Sequence, residues 1–471
     1  MNTLVSALKK ETNKTETING MKAFKSSTNG LVDLFYKIGA NRGEDLTTDF
    51  QKAFNEDVDT AIRIMLYSRD VREGMGERQH YRNALHEIAI KDYTIALKLI
   101  PITPELGRWD DLFSLIGTPV EKEMLAFYAK ALMEGNSLAS KWAPREKSTK
   151  KHIAIKLMKA LGVNKKQYRK MLVENTDVVE SKMSKKDWSS ISFSNVPSLA
   201  HLRYTKAFKR NDEDRYHDYL LSLEKGEGGV KINAGAVYPH QISSSILSSD
   251  DNTVRILEQQ WKALPDWIEN DASFLPVSDV SGSMRGLPME VSVALGIYCA
   301  QRNKSAFKDL IITFSSKPSF IDISGLSLKS SVKTVLHGDW GMSTDLEKTF
   351  DLVLNTAVKN EVDPKDMPNA IIIFSDMQFN QAVRTYHEVG KLSAQEMIRS
   401  QYESAGYKMP KIVYWNLNGS SNVPVLDKET GALLVSGFSP SLMKSILSNQ
   451  DYNPIEAILD IVGKERYNWN K

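Results

Sequence analysis

The sequence predicts two halves of different fold class: an all-α helical array over residues 1–265 and an α/β doubly wound domain over residues 272–471. In the first half, apolar residues recur at the three- and four-residue spacing of amphipathic helices. In the second half, short continuous apolar runs alternate with helical patterns, which is typical of a mainly parallel sheet covered on both faces. A chain of 471 residues is long enough for two or three domains with sizeable cores.

The first half reads as helices separated by short polar breaks. Pro101 and Pro104 are expected to end one of them, because proline removes a helix hydrogen bond. Helix pairs of this kind favour a stacked array, although no fixed period indicates a regular solenoid. The clearest helical patterns are Asp57–Tyr67, Tyr81–Ile90, Tyr93–Ile100, Glu121–Met133 and Thr253–Ile268.

The second half alternates strands with helices. Strands are predicted at Phe274–Val280, Leu310–Phe314, Ser319–Ile323, Ala370–Phe374, Ile412–Trp415 and Leu433–Val435. Helices are predicted at Leu287–Gln301, Leu346–Val358, Glu388–Glu403, Leu442–Leu447 and Ile455–Val462. Ligands of such sheets bind beyond the carboxyl ends of the strands, and both Asp279 and Asp376 lie at a predicted strand end.

Composition is that of an ordinary soluble globular protein, with 41% hydrophobic residues, 25% charged residues and a net charge of +3. A single cysteine, Cys299, excludes an intrachain disulfide and is expected to be a core thiol. The N-terminus lacks a signal peptide, and no apolar run is long enough to span a membrane. We therefore expect a cytoplasmic protein without a membrane partner, in the host cytoplasm if the chain is viral.

One tight loop presents a carboxylate and two hydroxyls, from Asp279, Ser281 and Ser283. Side chains two residues apart in an extended chain point the same way, so these oxygens can converge. They suit a hard cation such as Mg²⁺, or another divalent ion such as Mn²⁺ or Ca²⁺. Because only one ligand is anionic, the ion would keep a position open for a carboxylate from outside. The alternative is that Asp279 and Ser283 are helix caps.

Further oxygen ligands are expected, because the N-terminus of the following helix repels a cation. Thr344, in the polar glycine-rich loop over residues 338–345, and Asp376, after the isoleucine-rich strand, are the candidates. The five residues in this order resemble the von Willebrand factor A domain and its metal-ion-dependent adhesion site (MIDAS). The resemblance implies that Asp279, Ser281, Ser283, Thr344 and Asp376 hold the metal over a Rossmann-like sheet.

Residues 139–170 contain eleven basic side chains and a single acidic one, Glu146. Such a tract is an electrostatic footprint for phosphate, and Trp142 and Tyr168 could stack on unpaired bases. The alternative is a solvated face whose charges pair with the acidic run over residues 212–214. The basic residues are Lys141, Arg145, Lys147, Lys150, Lys151, Lys156, Lys159, Lys165, Lys166, Arg169 and Lys170.

A second resemblance rests on three segments, Arg69–Arg78, Ala139–Arg145 and Val196–Ser198, together with the order of the two halves. The segments look like a TROVE-related family of phages, giant viruses, plants and fungi. The architecture is similar to the Ro autoantigen family, in which HEAT-like helices of the TROVE module precede a von Willebrand A domain. The resemblance implies a HEAT-like array, the same metal site, and binding of structured or single-stranded RNA.

These observations predict a binding protein without enzymatic activity. The basic helical half would bind RNA, and the metal would bind a protein partner that supplies an acidic residue. The alternative is a protein–protein scaffold, or a viral structural or adaptor protein, that binds no nucleic acid. An enzyme is not expected, because the sequence has no P-loop, no nucleophile elbow and no zinc spacing among its eight histidines.

Overall fold

The structure is a computed structural model that describes residues 11–226, 229–268, 272–314, 317–338, 344–380, 394–419, 422–447 and 453–470. Most of the glycine-rich loop before Thr344 and the first part of the predicted helix over 388–403 lie outside these residues. The candidate metal ligands and the basic residues of the sequence analysis lie within them.

The first half is an array of helices, as its apolar spacing predicts. The helices are α1 (Gly30–Ile38), α2 (Thr47–Glu56), α3 (Val58–Arg69), α4 (Gln79–Lys91), α5 (Tyr93–Leu106), α6 (Glu121–Met133), α7 (Ser137–Trp142), α8 (Lys151–Leu161), α9 (Lys165–Asn175), α10 (Val179–Ser184), α11 (Ser198–Asn211), α12 (Glu213–Lys225), α13 (Pro239–Ser243) and α14 (Asp251–Lys262). Consecutive helices pack on one another, for example α1 on α2 and α4 on α5.

Helix α14 ends at Lys262, so the predicted helix over Thr253–Ile268 is six residues too long at its C-terminal end, where Pro265 cannot continue a helix. Two further features of this half differ from the prediction. Helix α5 continues through Pro101 and Pro104 to Leu106. Its buried apolar face, with Ala96, Leu99 and Ile100, packs on its neighbours and outweighs the lost backbone bonds. The second difference is a small antiparallel hairpin, β1 (Lys14–Glu16) and β2 (Lys22–Phe24), before the first described helix of the array. Its strands are too short and polar for a periodic signal.

The second half is built on a six-stranded, mostly parallel sheet. The strands are β3 (Phe274–Ser278), β4 (Leu310–Thr313), β5 (Phe320–Asp322), β6 (Ala370–Ser375), β7 (Lys411–Asn416) and β8 (Ala432–Ser436). Their order in the sheet is β5-β4-β3-β6-β7-β8, and only the edge strand β5 is antiparallel to its neighbour. The helices are α15 (Leu287–Arg302), α16 (Leu328–Leu336), α17 (Leu346–Lys359), α18 (Ala394–Ser404), α19 (Met443–Ile446) and α20 (Pro454–Val462).

The central strands β3 and β6 are buried along their whole length, as expected for a sheet covered on both faces. Cys299 is fully buried in α15, as predicted. None of the described helices is long and apolar enough to cross a membrane.

The two halves share one hydrophobic core and meet through polar contacts as well. The hydroxyl of Ser436 donates to the carbonyl oxygen of Phe35 at 2.8 Å, so α1 lies against β8. The carboxylate of Asp70, which follows α3, accepts hydrogen bonds from Arg466 at 2.9 Å and Tyr467 at 3.1 Å near the C-terminus. The helical array and the α/β sheet therefore form one packed molecule.

Candidate functional site

The carboxyl ends of β3 and β6 bring the two predicted aspartates together. The strands are parallel neighbours with Ser278 opposite Phe374, so Asp279 comes level with Ser375. The hydroxyl of Ser375 donates to Oδ2 of Asp279 at 2.5 Å. Asp376 is the next residue, and its charge acts on Asp279 directly. This is the sheet edge at which a doubly wound fold binds ligands.

The loop after β3 is folded around the side chain of Asp279. Oδ1 of Asp279 accepts a hydrogen bond from the backbone N–H of Ser281 at 2.9 Å. The hydroxyls of Ser281 and Ser283 are 3.1 Å apart, so these two predicted ligands point to one place. The N-cap of α15 is Gly286, so neither Asp279 nor Ser283 caps that helix. The helix-cap alternative is therefore wrong for α15.

Thr344 and Asp376 are joined through one residue of the loop that follows β6. The hydroxyl of Thr344 donates to the carbonyl oxygen of Gln378 at 2.8 Å, and Oδ1 of Asp376 accepts from the N–H of Gln378 at 3.1 Å. Both side chains are buried. Met377, which lies between Asp376 and Gln378 in the chain, has a left-handed backbone with φ of 63°, a conformation rare for a residue other than glycine.

The two buried carboxylates at this sheet edge, those of Asp279 and Asp376, form no ion pair with a basic side chain among the described residues. Burial, together with a smaller effect of the charge of Asp376, raises the pKa of Asp279 to about 6, against the opposing hydrogen bonds from Ser375 and Ser281. Within the described chain, no basic side chain contributes to that balance. A cation bound between two buried carboxylates would offset the cost of burying their charges.

The donor set suits a hard divalent ion. It consists of two carboxylates and three hydroxyls, all of them hard oxygen ligands. Among the described residues there is no group of three His, Cys, Asp or Glu that could hold a metal, so zinc-type coordination is not available here. The structure links Asp279 to Ser281 by a hydrogen bond and to Asp376 through its charge, and it links Thr344 to Asp376 through Gln378.

Two features of the edge were missed by sequence reasoning. Ser375 orients Asp279 and also accepts a hydrogen bond from the N–H of Met377 at 3.1 Å. Its position directly before Asp376 was the available signal. The turn of the β1–β2 hairpin contacts the loop after β6, and no local pattern indicates so distant a contact.

The predicted basic tract forms the loop and helices from α7 to α9. Eight of its eleven basic side chains are exposed and have no carboxylate partner within the described chain. We call these eight the basic surface: Arg145, Lys147, Lys150, Lys151, Lys159, Lys165, Lys166 and Arg169. The nearby Asp212 pairs instead with Arg215, so the predicted neutralisation by residues 212–214 does not occur there.

The other three basic residues of the tract are paired. Lys141 lies 3.4 Å from Glu180, Lys170 lies 3.6 Å from Glu174, and Lys156 pairs with Glu121. The ion pairs of Lys141 and Lys156 join neighbouring helices, which indicates a structural contribution. The RNA role predicted for these three is therefore weaker than for the basic surface.

The two aromatic residues of the tract differ in accessibility. Tyr168 is buried, and its hydroxyl donates to the carbonyl oxygen of Pro144 at 3.1 Å, so the predicted stacking of Tyr168 on a base is wrong. Its spacing on α9 is that of a core position. Trp142 is partly buried under the guanidinium of Arg108, whose Cζ lies 3.9 Å from the ring centroid.

An open cavity of about 440 Å³ adjoins the basic surface. Lys141, Arg145 and Lys185 line it together with the apolar side chains of Val173 and Val178. Glu180, the ion-pair partner of Lys141, also lines the cavity, so Arg145 and Lys185 are the cations that it offers to a nucleotide's phosphate beside apolar carbon.

Comparisons with known proteins match the two halves separately and the fold as a whole. A domain of unknown function (DUF2828) matches residues 17–90 and 120–274, and another domain of unknown function (DUF7788) matches residues 273–469. The crystal structure of Deinococcus radiodurans RO (RSR) protein aligns with 90% of this chain and 99% of its own, at a TM-score of 0.51 and 12% sequence identity. At that identity the likeness shows the fold alone, so the helical array followed by the α/β sheet is a Ro-like fold.

One curated relative is similar along almost the whole chain. Uncharacterized protein L728 of Acanthamoeba polyphaga mimivirus is 30% identical over 511 residues, which span 95% of this chain and 86% of the relative. The match includes both the helical half and the sheet. The chain belongs to the family of this giant-virus protein.

Proposed function

We propose that the chain is a non-enzymatic binding protein with two sites, one in each half. The basic surface of the helical half binds RNA. The sheet edge at Asp279 holds a divalent cation that binds an acidic residue of a protein partner. The observation on which the RNA proposal rests is the set of eight exposed cations on consecutive elements of a near-neutral chain, none of which has a carboxylate partner among the residues that the structure describes.

The basic surface fits RNA because its charges are solvent-exposed and all lie between Arg145 and Arg169 in the chain. Each Lys or Arg that neutralises a phosphate releases a condensed counterion, so the affinity should fall steeply as salt rises. The Ro-like fold and the resemblance of the sequence to the Ro family support the same assignment. A cavity with apolar and cationic walls next to this surface favours single-stranded segments, whose bases are free.

The RNA proposal is tested by reversing four charges, Lys150, Lys151, Lys165 and Lys166, to Glu in the full chain. We expect the affinity for a fluorescent single-stranded or hairpin RNA to fall at least ~10-fold at low salt, with a shallower dependence on salt. The matched control reverses Lys308, Lys329, Lys333 and Lys359, which lie in the other half and change the net charge equally. Equal losses for both variants, or no RNA affinity of the unaltered chain at low salt, would refute this half of the proposal.

The von Willebrand A type of metal site is the second part of the proposal. Asp279, Ser281, Ser283, Thr344 and Asp376 would hold Mg²⁺ or a similar ion. When bound, the cation supplies an open coordination position for an outside carboxylate. The protein's own residues orient the ligands: Ser375 holds Asp279, and Gln378 holds both Thr344 and Asp376.

The metal site is tested by titrating the full chain with Mn²⁺ and comparing Asp376→Asn with Asp366→Asn. Asp376 follows β6 at the candidate site, whereas Asp366 is exposed before β6 at the opposite end of the strand. We expect Asp376→Asn to weaken Mn²⁺ binding at least ~10-fold, because it removes one of two anionic ligands. An unchanged affinity would count against this site.

A scaffold without nucleic acid is the alternative, and the same experiments separate it from the proposal. A scaffold would retain the metal-dependent protein partner and show no RNA affinity. Enzymatic activity is not part of the proposal, because hydroxyl ligands and two carboxylates suit adhesion to a carboxylate better than the two-metal chemistry of nucleases.

A further inference from the structure

The β1–β2 hairpin, which belongs to the helical half of the chain, is hydrogen-bonded to the loop after β6. The hydroxyl of Thr17 donates to the carbonyl oxygen of Phe379 at 2.6 Å. Nδ2 of Asn19 donates to the carbonyl oxygen of Gln378 at 2.6 Å, and the N–H of Ile18 donates to Oε1 of Gln378 at 2.8 Å. Three successive residues of the turn therefore contact two successive residues of the loop.

The carbonyl oxygen of Gln378 connects the hairpin to the candidate ligands. It accepts both from Asn19 and from the hydroxyl of Thr344. A hydroxyl that donates its proton to a carbonyl keeps its lone pairs available for a cation. The N–H of the same residue holds Asp376, so a displacement of Gln378 would move both ligands.

The hairpin itself has a well-defined position. Oγ1 of Thr17 also accepts from the N–H of Met21 at 2.9 Å, which closes the turn. Met21 and Ala23 are buried, and the backbone of Phe24 pairs with that of Val423 in the loop after β7. The loop after β6, with the left-handed Met377, needs such support because that backbone conformation is costly.

We propose that the β1–β2 hairpin is a positioning element of the metal site, which holds the loop over residues 376–380 so that Asp376 and Thr344 face Asp279. The inference rests on the proposed metal function. It adds that the site is complete only when the N-terminal segment is seated on the sheet edge. Metal affinity then depends on residues that lie more than 300 positions before Thr344 in the sequence.

The test is a Mn²⁺ titration of the full chain, monitored by calorimetry or by the electron paramagnetic resonance of free Mn²⁺. Thr17→Val removes the bond to Phe379 and retains the shape of the side chain. Asn19→Ala removes the bond to Gln378 from an exposed side chain, so it should fold even where Thr17→Val does not. We expect each to raise the Kd for Mn²⁺ about 10- to 100-fold, the usual cost of losing support behind a metal ligand.

Thr15→Val is the matched control. It makes the same chemical change in the same hairpin, at a hydroxyl that has no hydrogen bond within the described chain. It should bind Mn²⁺ as the unaltered chain does, and all three variants should retain RNA affinity. If Asn19→Ala and folded Thr17→Val bind Mn²⁺ as tightly as Thr15→Val, the positioning role is refuted. If the unaltered chain binds no Mn²⁺, the metal site itself fails, and the inference fails with it.

Discussion

At the scale of single residues, buried ionisable side chains without a counter-ion determine how the stability of the fold depends on pH and on the proposed cation. At the sheet edge, Asp279 and Asp376 are buried next to hydroxyls and backbone N–H groups. At Asp279 the hydrogen bonds favour the ionised carboxylate, whereas burial opposes it and raises its pKa. The proposed cation would compensate the charge of both carboxylates.

Burial also disfavours the charged form of His80, which is a cation, so its pKa is lowered where that of Asp279 is raised. Burial lowers its pKa to about 4, and neither ring nitrogen has a hydrogen-bond partner within the described chain. In the unfolded chain the imidazole titrates near its ordinary value of about 6.5. Between about pH 4 and pH 6.5, only the unfolded state binds a proton at His80. The free energy of unfolding therefore falls as the pH is lowered from about 6.5 toward 4, whereas His80 has no such effect above about pH 6.5.

We predict that His80→Leu reduces the acid sensitivity of unfolding. The pKa difference corresponds to about 3 kcal/mol, so the variant should lose that much less stability between pH 7 and pH 4 in urea titrations. His217→Leu, at an exposed histidine, should retain the sensitivity of the unaltered chain. Identical pH profiles for His80→Leu and the unaltered chain would contradict the burial argument.

At the scale of elements, close approach of α15 to β3 places the loop that carries Asp279, Ser281 and Ser283. A methyl group added to Gly296 would lie 2.1 Å from Oγ of Ser278, so only glycine fits there. Ser278 in turn donates to the carbonyl oxygen of Ser292, and Ser292 donates to that of Phe374. Helix α15 is thereby bonded to both central strands.

We predict that Gly296→Ala destabilises the fold by about 1–3 kcal/mol, the usual cost of overpacking. Ser278→Ala removes the clashing oxygen, and the added methyl would then lie 3.4 Å from the Cβ of residue 278. The double variant should therefore recover part of the loss, measured as a coupling energy in a double-mutant cycle. Strictly additive effects would show that the two residues do not compete for this space.

The elements also show which structural features are encoded locally. The Ile-rich run at 371–373 and the apolar spacing of α4 are local patterns, and both elements occur where they were predicted. The continuation of α5 through two prolines and the β1–β2 hairpin depend on tertiary contacts, so no local pattern reveals them. At the candidate site, residue type and strand position were sufficient to name five candidate ligands, which stay a prediction, whereas the supporting bonds from Ser375 and Thr17 required the fold.

At the scale of the whole molecule, the segment Arg69–Arg78 lies between the two halves. Its first residue, Arg69, forms a buried ion pair with Asp111 at 2.7 Å inside the helical array. Asp70 turns the other way and binds Arg466 and Tyr467, and the carbonyl oxygen of Glu73 accepts from Ser441 at 2.9 Å. The segment that resembles the TROVE-related family therefore has a structural role in joining the halves.

We predict that Asp70→Asn weakens the contact between the halves. Asp70 is fully buried, so its replacement removes the closer of the two carboxylates that pair with Arg466, leaving only Glu73 at 3.9 Å, and should cost about 3 kcal/mol in the free energy of unfolding. The substitution should also broaden the urea transition, because the halves then unfold less cooperatively. The exposed Asp366→Asn should change the midpoint little, and a comparable loss in both variants would contradict the assignment.

The central claim is that the sheet edge of this chain is a cation site, and anomalous diffraction from crystals grown with Mn²⁺ tests it most directly. The account predicts an anomalous peak bounded by the side chains of Asp279, Ser281, Ser283, Thr344 and Asp376, and its absence in crystals of Asp376→Asn. A peak elsewhere, or none at this edge at millimolar Mn²⁺, would contradict the account.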